Sequence, residues 1–286
     1  MKNPYRSLLN RLLALQTRGR TLPLGGLAAP RRRAPAARAP RVLVFSPHPD
    51  DECIIGGLAL RLQRECRWRV VNVAVTQGSR KDRQAARWKE LADACAYLGF
   101  DLVATGPHGL EGVNRETRER EPARWAAMVE TIAALLREQR PRAILVPHDA
   151  DWNSTHIGTH LLVLDALAAC PQLRCFVVET EFWGAMATPN LMVEIPPRDL
   201  ADLMAALSFH VGEVQRNPYH LTLPAWMQDN VRRGGEVVGG QGGAAPDFAF
   251  ATLYRLRAWN GQALVPVHEG GKLIGAGDDL AALFKE

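Results

Sequence analysis

The fold is decided by one stretch of the chain, VLVFSPHPDDE at residues 42–52. Its apolar, β-branched start predicts a buried strand over Val42–Phe45, and the glycine-bearing apolar run that follows predicts a helix over Gly56–Gln63. Three carboxylates and an imidazole stand between these two elements. Because unpaired charges are strongly destabilised outside water, such a cluster needs a metal ion or solvent. The sequence therefore predicts a functional site where the first strand ends.

The segments that follow alternate between short β-branched runs and longer runs with apolar residues at helical spacing. This alternation predicts an α/β fold, a Rossmann-like, doubly wound and mostly parallel sheet with helices on both faces. In such a sheet the active site lies at the carboxyl ends of the strands. The further predicted strands are Val70–Val75, Leu102–Ala104, Ala143–Val146 and Phe176–Glu179, and the further predicted helices are Asp82–Leu98, Ala123–Gln139 and His156–Ala168.

The pattern weakens after about Asn190. Strands are predicted over Leu191–Ile195 and Phe248–Arg257, and a helix over Arg198–Phe209. The glycine-rich segment Gly234–Ala245 predicts a loop, either a lid or a plain connection. We therefore expect a single domain over residues 41–286, of which residues 190–286 form the less regular C-terminal part.

The net charge of +5 has its origin in the N-terminal segment. Residues 1–41 contain ten basic residues and no acidic one, which leaves 25 basic against 30 acidic residues in the rest of the chain. A body of that sign is not expected to bind nucleic acid. We expect residues 1–40 to form a basic extension, with a short amphipathic helix and a mobile linker over residues 21–40. The extension is either solvated or in peripheral contact with a membrane or an anionic partner.

Hydropathy and cysteine content narrow the class of protein further. No apolar run approaches the ~18–20 residues that a membrane-spanning helix needs. The five cysteines are odd in number and form no CxxC pair, so they predict neither a disulfide framework nor a cysteine zinc site. We expect a reducing, cytoplasmic setting.

A second polar cluster, PHDADWNSTH at residues 147–156, follows the fourth predicted strand and should reach the same edge of the sheet. His48 and Asp51, three residues apart, are close enough to bind one cation, and this loop adds a second histidine from the pair His156 and His160. Two histidines and a carboxylate with an open position are typical of catalytic zinc, although other divalent transition metals accept the same ligands. Asp50 remains free for acid–base chemistry.

These motifs resemble the PIG-L/LmbE family of zinc-dependent N-deacetylases. The HPDDE motif, the later loop that ends in a helix-opening histidine, a TxG-type loop at residues 76–79 and an RxxEL-type helix segment at residues 87–91 carry the resemblance, which covers roughly residues 41–169. It implies that His48, Asp51 and His156 bind the metal. It also implies that Asp50 is the general base.

The resemblance further implies hydrolysis of an N-acetyl group on an N-acetylglucosamine-type sugar conjugate, which gives acetate and a free amine. The family often carries a histidine where this chain has Asn153, and an amide donates a hydrogen bond but not a proton. The group that stabilises the oxyanion or binds substrate is therefore open. The candidates are Asn153, His148, His160 and His210, with Arg87, Trp152 and Trp183 for contacts to the substrate.

Two alternatives use the same residues. The first is a zinc amidase that cuts a larger acyl or peptide-like amide, which differs from a deacetylase in its products. The second is a non-catalytic carbohydrate-binding module. An unliganded Asp50 beside a metal argues against the second alternative, because a binding site gains little from such a carboxylate.

Overall fold

The computed structural model describes residues 3–285. Met1, Lys2 and Glu286, at the ends of the expected segments 1–40 and 41–286, lie outside the described residues. The helices are α1 Tyr5–Gly19, α2 Asp51–Ile54, α3 Gly57–Cys66, α4 Gln84–Leu98, α5 Arg115–Arg120, α6 Pro122–Gln139, α7 Ser154–Ala168, α8 Pro197–Leu207, α9 Val211–Arg216 and α10 Tyr219–Val237. The strands are β1 Arg41–Ser46, β2 Arg69–Ala74, β3 Asp101–Ala104, β4 Ala143–Pro147, β5 Cys175–Thr180, β6 Leu191–Glu194, β7 Ala251–Trp259, β8 Leu264–Pro266 and β9 Lys272–Ile274.

The first five strands pair in parallel in the order β3-β2-β1-β4-β5. The order reverses between β1 and β4, which leaves a crevice at the carboxyl ends of these two strands. The loops that follow β1 and β4 carry the two polar motifs, so both motifs reach this crevice. The predicted α/β fold with a mostly parallel sheet is confirmed.

The residues after 190 extend the same sheet. Strand β7 lies between β5 and β6 and is antiparallel to both, while β9 pairs in parallel with β6 and β8 pairs with β7. Arg61 of α3 has no exposed surface, and its guanidinium donates to the carbonyls of Glu194 (2.9 Å) and Gly275 (3.0 Å). This contact fixes the C-terminal part to the first βα unit.

Strand β1 is buried on both faces because its apolar residues alternate between two cores. Val42 and Val44 point to the core formed with α3, α4 and α8, and Leu43 and Phe45 point to the core formed with α6 and α7. Each fully buried side chain of this size contributes about 1.5–3 kcal/mol. The charged turn after β1 is therefore held by a rigid strand.

The N-terminal extension contains helix α1, of which no residue is buried, and a segment at residues 21–40 without helix or strand. The extension contacts the body at a few points. Arg32 donates to the carbonyls of Ala96 and Tyr97, each at 2.8 Å, and Gly19 lies so close to Leu221 that a Cβ at position 19 would be 2.9 Å from its Cδ2. Among the described residues, no helix is both long and apolar enough to cross a membrane.

The prediction of a loop from Gly234 is wrong over its first four residues, because α10 continues through Val237. Gly234 packs against β6 and β7, where an added Cβ would be 2.8 Å from both Leu253 Cδ2 and Met192 Sδ. The glycine thus permits close helix-to-sheet packing and does not end the helix. Strand β7 begins at Ala251, three residues later than predicted. The sequence patterns also did not predict α5, α9 and most of α10.

Candidate metal centre and active site

The turn after β1 holds Asp50 in a left-handed backbone conformation, with φ of 115°. Aspartate and asparagine adopt this region more readily than most side chains, and residues in strained conformations cluster at functional sites. The Asp50 backbone N–H donates to Glu52 Oε2 at 3.0 Å, and the Arg87 guanidinium donates to the Pro49 carbonyl at 2.9 Å. Two hydrogen bonds from different elements therefore fix the turn on both sides of Asp50.

His48, Asp51 and His156 bring three ligand atoms within 4.8 Å of one another. Asp51 Oδ2 lies 3.4 Å from His156 Nε2 and 3.5 Å from His48 Nδ1. His156 Nε2 is buried and has no hydrogen-bond partner in the described residues, which is costly for an imidazole nitrogen. Two imidazoles and a carboxylate that converge in this way match the donor set of zinc and similar divalent ions.

The loop after β4 positions His156 through hydrogen bonds to the start of α7. Asn153 Oδ1 accepts from the backbone N–H of Thr155 (2.9 Å) and of His156 (3.4 Å), so Asn153 is the N-cap residue of this helix. Asp151 Oδ2 lies 3.7 Å from His156 Nδ1, on the side of the ring opposite Nε2. A carboxylate in this position orients a metal-ligating imidazole. The sequence analysis did not predict this role for Asp151. Its position five residues before His156, a candidate ligand, was the only feature of the sequence that pointed to it.

The two adjacent aspartates differ in their protonation behaviour. Burial raises the pKa of Asp50 well above the usual carboxyl range, and the neighbouring charge of Asp51 raises it further. Burial would also raise the pKa of Asp51, but the contacts with His156 and His48 outweigh burial and hold it below the usual range. Asp51 is thus kept ionised, while Asp50 can take up and release a proton. Such divergence marks a division of acid–base roles.

His48, Asp50 and Asp51 open into a cavity of about 840 Å³. One wall is aromatic: the Trp183 ring stands edge-to-face with Phe182 and Tyr219, at centroid distances of 4.8 Å and 5.7 Å. Trp183 is 43% exposed, so part of its face is free to contact a ligand. Aromatic faces of this kind pack on the apolar faces of sugar rings.

Six cationic residues also line the cavity, and we call them the cationic rim: Arg80, Lys81, Arg83, Arg87, Arg124 and Arg216. Three of them share a single carboxylate, because Arg83, Arg87 and Arg216 approach Glu213 to 3.3, 4.0 and 2.5 Å. Arg87 Nε is buried and has no hydrogen-bond partner among the described residues. The three guanidiniums exceed the single charge of Glu213, so this part of the wall favours an anionic group. The sequence analysis predicted only Arg87 of these six residues, because they come from segments that are distant in the sequence.

Two glycines allow backbone and side chains to approach the cavity closely. Gly78 has φ of +82°, and a Cβ there would be 2.3 Å from Arg87 Nη1. Gly158 of α7 lies against the loop before α5, where a Cβ would be 2.2 Å from the Val113 carbonyl oxygen and 2.6 Å from Asn114 Cα. Because Val113 and Asn114 line the cavity, the helix that carries His156 also supports one cavity wall.

Five of the sequence candidates do not line the cavity: His156, whose Nε2 lies 3.4 Å from Asp51 Oδ2, and the four described next. His148 donates from Nε2 to the Gly184 carbonyl (2.8 Å), and His160 donates from Nδ1 to the Pro147 carbonyl (2.9 Å). His210 is fully buried, and Trp152 is 80% exposed but is not a lining residue. The other candidates, Asn153, Arg87 and Trp183, do line the cavity, as do His48, Asp50 and Asp51.

His210 instead belongs to a buried cluster with Glu52 and Cys53. Its Nε2 lies 2.7 Å from Glu52 Oε1, and the Cys53 thiol donates to the same oxygen at 3.0 Å. These direct hydrogen bonds account for the proximity of the three groups. Since the other oxygen of Glu52 accepts from the Asp50 backbone N–H, the cluster supports the turn that carries Asp50.

Residues 43–167 match the family model described as PIG-L: GlcNAc-PI de-N-acetylase. The matched segment includes both polar motifs, the three candidate metal ligands and Asp50. This match is to the family that the two motifs resemble. A comparison with curated protein sequences gave no match.

Several solved structures share the fold. N,N'-diacetylchitobiose deacetylase from Pyrococcus horikoshii is 17% identical with a TM-score of 0.55, and the alignment covers 78% of this chain and 85% of that one. The A40926 pseudoaglycone deacetylase Dbv21 is 17% identical with a TM-score of 0.57, over 78% and 98% of the two chains. GalB, a 4-carboxy-2-hydroxymuconate hydratase from Pseudomonas putida KT2440, is 17% identical with a TM-score of 0.55, over 76% and 95%. At these identities the similarity establishes the fold, and the reaction has to be argued from the site.

Proposed function

We propose that the protein is a zinc-dependent N-deacetylase that removes an N-acetyl group from an N-acetylglucosamine-type sugar conjugate. The observation that carries this proposal is the convergence of His48, Asp51 and His156 beside Asp50, a buried carboxylate of raised pKa that has no place in the ligand set. The family model, named for a de-N-acetylase, and two of the similar structures, described as deacetylases, support it.

In this proposal His48, Asp51 and His156 hold the divalent ion, and iron or cobalt would suit the same ligands. When bound, such an ion polarises the acetamide carbonyl and lowers the pKa of water. The carboxylate of Asp50 accepts a proton from the attacking water. The protonated Asp50 then returns this proton to the leaving amine.

Asn153 takes the oxyanion role in this scheme. Its Oδ1 is committed to the cap of α7, which leaves the side-chain NH₂ group as the donor that can meet the developing negative charge of the tetrahedral intermediate. Loss of a single oxyanion donor costs about 10²–10³ in kcat in a well-studied hydrolase. We expect a loss in kcat below this range for Asn153→Ala, because the proposed metal ion would share the stabilisation of the oxyanion.

The cavity walls narrow the proposed substrate class. The aromatic wall suits the face of a sugar ring, and the cationic rim suits an acidic group on the remainder of the conjugate. Arg83, Arg87 and Arg216 outnumber the single carboxylate that they share, Glu213, whereas the other three cations each have a carboxylate of their own: Asp82, Glu111 and Glu121. The proposed substrate is therefore an acidic N-acetylglucosamine conjugate that carries a phosphate or carboxylate.

The proposal is tested by acetate release from a panel of N-acetylglucosamine conjugates, with zinc-loaded and chelated protein. We expect release that stops on chelation and falls about 10²–10⁴-fold in Asp50→Asn, the range for loss of a general base. Asp93→Asn makes the same chemical change on the exposed side of α4 and should leave the rate unaltered. Release that persists in Asp50→Asn contradicts the assigned base.

The same assay separates the alternatives. A larger acyl product in place of acetate would indicate an amidase. Ligand binding without turnover, unchanged in Asp50→Asn, would indicate a carbohydrate-binding module.

A further comparison tests the acidic substrate class. Arg83→Gln should raise the KM of a phosphate- or carboxylate-bearing conjugate about tenfold and should leave the KM of a neutral conjugate unchanged. The expected factor follows because a charge-assisted hydrogen bond contributes about 1.5–3 kcal/mol, and salt screens part of this energy at a partly exposed arginine. Arg115→Gln, an exposed position outside the rim, is the matched control. Equal effects on acidic and neutral conjugates would contradict this class.

The proposal includes a reducing, cytoplasmic setting. It is supported by the five cysteines, all of which are unpaired in the structure.

A further inference from the structure

Helix α1 carries an apolar face that no other described part of the chain covers. The spacing of the apolar residues follows one side of a helix, and none of them is buried. Their exposed fractions run from 52% to 73% for Tyr5, Leu8, Leu9, Leu12, Leu13 and Leu15. A short helix gains little stability unless one of its faces is packed. An exposed apolar stripe of this length therefore indicates that α1 binds a surface outside the described chain.

Arginines border this face on both sides. At 3.6 residues per turn, Arg11 and Arg18 fall beside one edge of the apolar stripe, and Arg6 falls beside the other. The long stems of arginine side chains can lie along an apolar surface while their charged ends reach outward to anionic groups. Residues 1–41 contain no acidic residue, so nothing within this segment neutralises them.

We propose that α1 docks on the surface of an anionic lipid bilayer, with its apolar face at the boundary between headgroups and acyl chains and its arginines on lipid phosphates. A basic helix of large amphipathic character binds membranes in this orientation. The remainder of the chain holds 25 basic and 30 acidic residues, so it is repelled by an anionic surface and α1 has to supply the attraction.

A second copy of the chain is the less favoured occupant. The α1 helix of a second copy would offer an apolar face, but pairing of two such helices would bring their arginines together. Outside the first 27 residues, the large apolar side chains exposed in the described structure are few and separated along the chain: Trp152, Trp183, Val237 and Leu273. The ten basic residues without a counter-charge also favour a continuous anionic surface over a limited protein patch.

The helix leaves the body close to the cavity. Its last residue, Gly19, lies against Leu221, and Tyr219, two residues earlier on α10, lines the cavity. Docking of α1 would therefore hold the entrance of the cavity near the lipid surface. The docking itself does not depend on the proposed deacetylase activity.

The experiment is co-sedimentation of the full-length protein with vesicles of phosphatidylcholine and phosphatidylglycerol, compared with vesicles of phosphatidylcholine alone. We expect binding to the anionic vesicles that weakens with added salt. Leu12→Gln should lower the partition coefficient by at least about tenfold, since burial of one leucine contributes about 1.5–3 kcal/mol. Arg11→Gln should lower it about fivefold, since one arginine near such a surface contributes about 1 kcal/mol.

Matched changes on the body serve as controls. Leu273→Gln alters an exposed leucine and Arg115→Gln an exposed arginine, and neither should change vesicle binding. Thermal unfolding of each variant reports whether the body stays folded. No binding by the unaltered protein, or equal binding of Leu12→Gln and Leu273→Gln, overturns the proposal. A concentration-dependent dimer that Leu12→Gln dissolves, without vesicle binding, overturns it in favour of self-association.

Discussion

Removal of the His210 imidazole should both destabilise the fold and loosen the turn that carries Asp50, the proposed general base. His210 Nε2 lies 2.7 Å from Glu52 Oε1, both side chains are fully buried, and Glu52 Oε2 accepts from the Asp50 N–H at 3.0 Å. His210→Ala leaves a buried carboxylate without its main partner, which typically costs about 3–5 kcal/mol of unfolding free energy. Because Asp50 then loses part of its support, we expect kcat for acetate release to fall more than KM rises.

A double-mutant cycle measures the pair directly, with unfolding in denaturant as the assay for His210→Ala, Glu52→Gln and the combined variant. A hydrogen bond to a charged group contributes about 1.5–3 kcal/mol, so the coupling energy should lie in that range. His108→Ala removes an exposed imidazole and serves as the control. A coupling energy below about 0.5 kcal/mol would refute the reasoning. Loss of kcat with unchanged stability would instead place His210 against the substrate, as the sequence had suggested.

Three further predictions concern packing, pH and metal binding. Gly158→Ala should lower the unfolding free energy by about 3 kcal/mol, at the upper end for overpacking, because the new Cβ would lie 2.2 Å from the Val113 carbonyl oxygen. Gly277→Ala, in open space, is the control and should change the unfolding free energy little. Equal stabilities of the two variants would contradict the close approach at Gly158. Burial raises the pKa of Tyr254 to about 12, so the folded state favours its neutral phenol. The unfolding free energy should therefore fall as the pH rises above about 10, by about 1.4 kcal/mol at pH 11 relative to Tyr254→Phe. Parallel curves of unfolding free energy against pH for the two proteins would contradict this. Zinc at about 100 times its Kd should stabilise the protein by about 2.7 kcal/mol in thermal unfolding and should stabilise His156→Ala far less, while His108→Ala should respond as the unaltered protein does.

The parts of the site that the sequence predicted are those set by local rules. His48 and Asp51 follow a strand whose apolar run is unmistakable, and His156 opens the helix after a strand that lies beside it in the sheet. Strand ends of one parallel sheet meet at one edge, so their proximity followed from the β/α alternation alone. Their resemblance to family motifs then gave each residue a role.

The missed parts depend on contacts between distant segments. His148 and His160 turn to backbone carbonyls at 2.8 and 2.9 Å, and nothing in the local sequence specifies those acceptors. The cationic rim is assembled from residues on α4, α6 and α9 and the turn before α4, so its charge density exists only in the folded chain. Gly234 looked like a loop residue because its packing on β6 and β7 cannot be read from composition.

The close approach at Gly158 has a consequence for how substrate range can diversify in this protein. Helix α7 carries His156 and also contacts Val113 and Asn114, so a change that reshapes this wall shifts a proposed metal ligand as well. The turn at Lys81–Arg83 forms part of the cavity but carries none of the proposed metal ligands. Laboratory evolution toward a bulkier or differently charged conjugate should therefore accumulate changes in this turn and leave the wall at Val113 as it is.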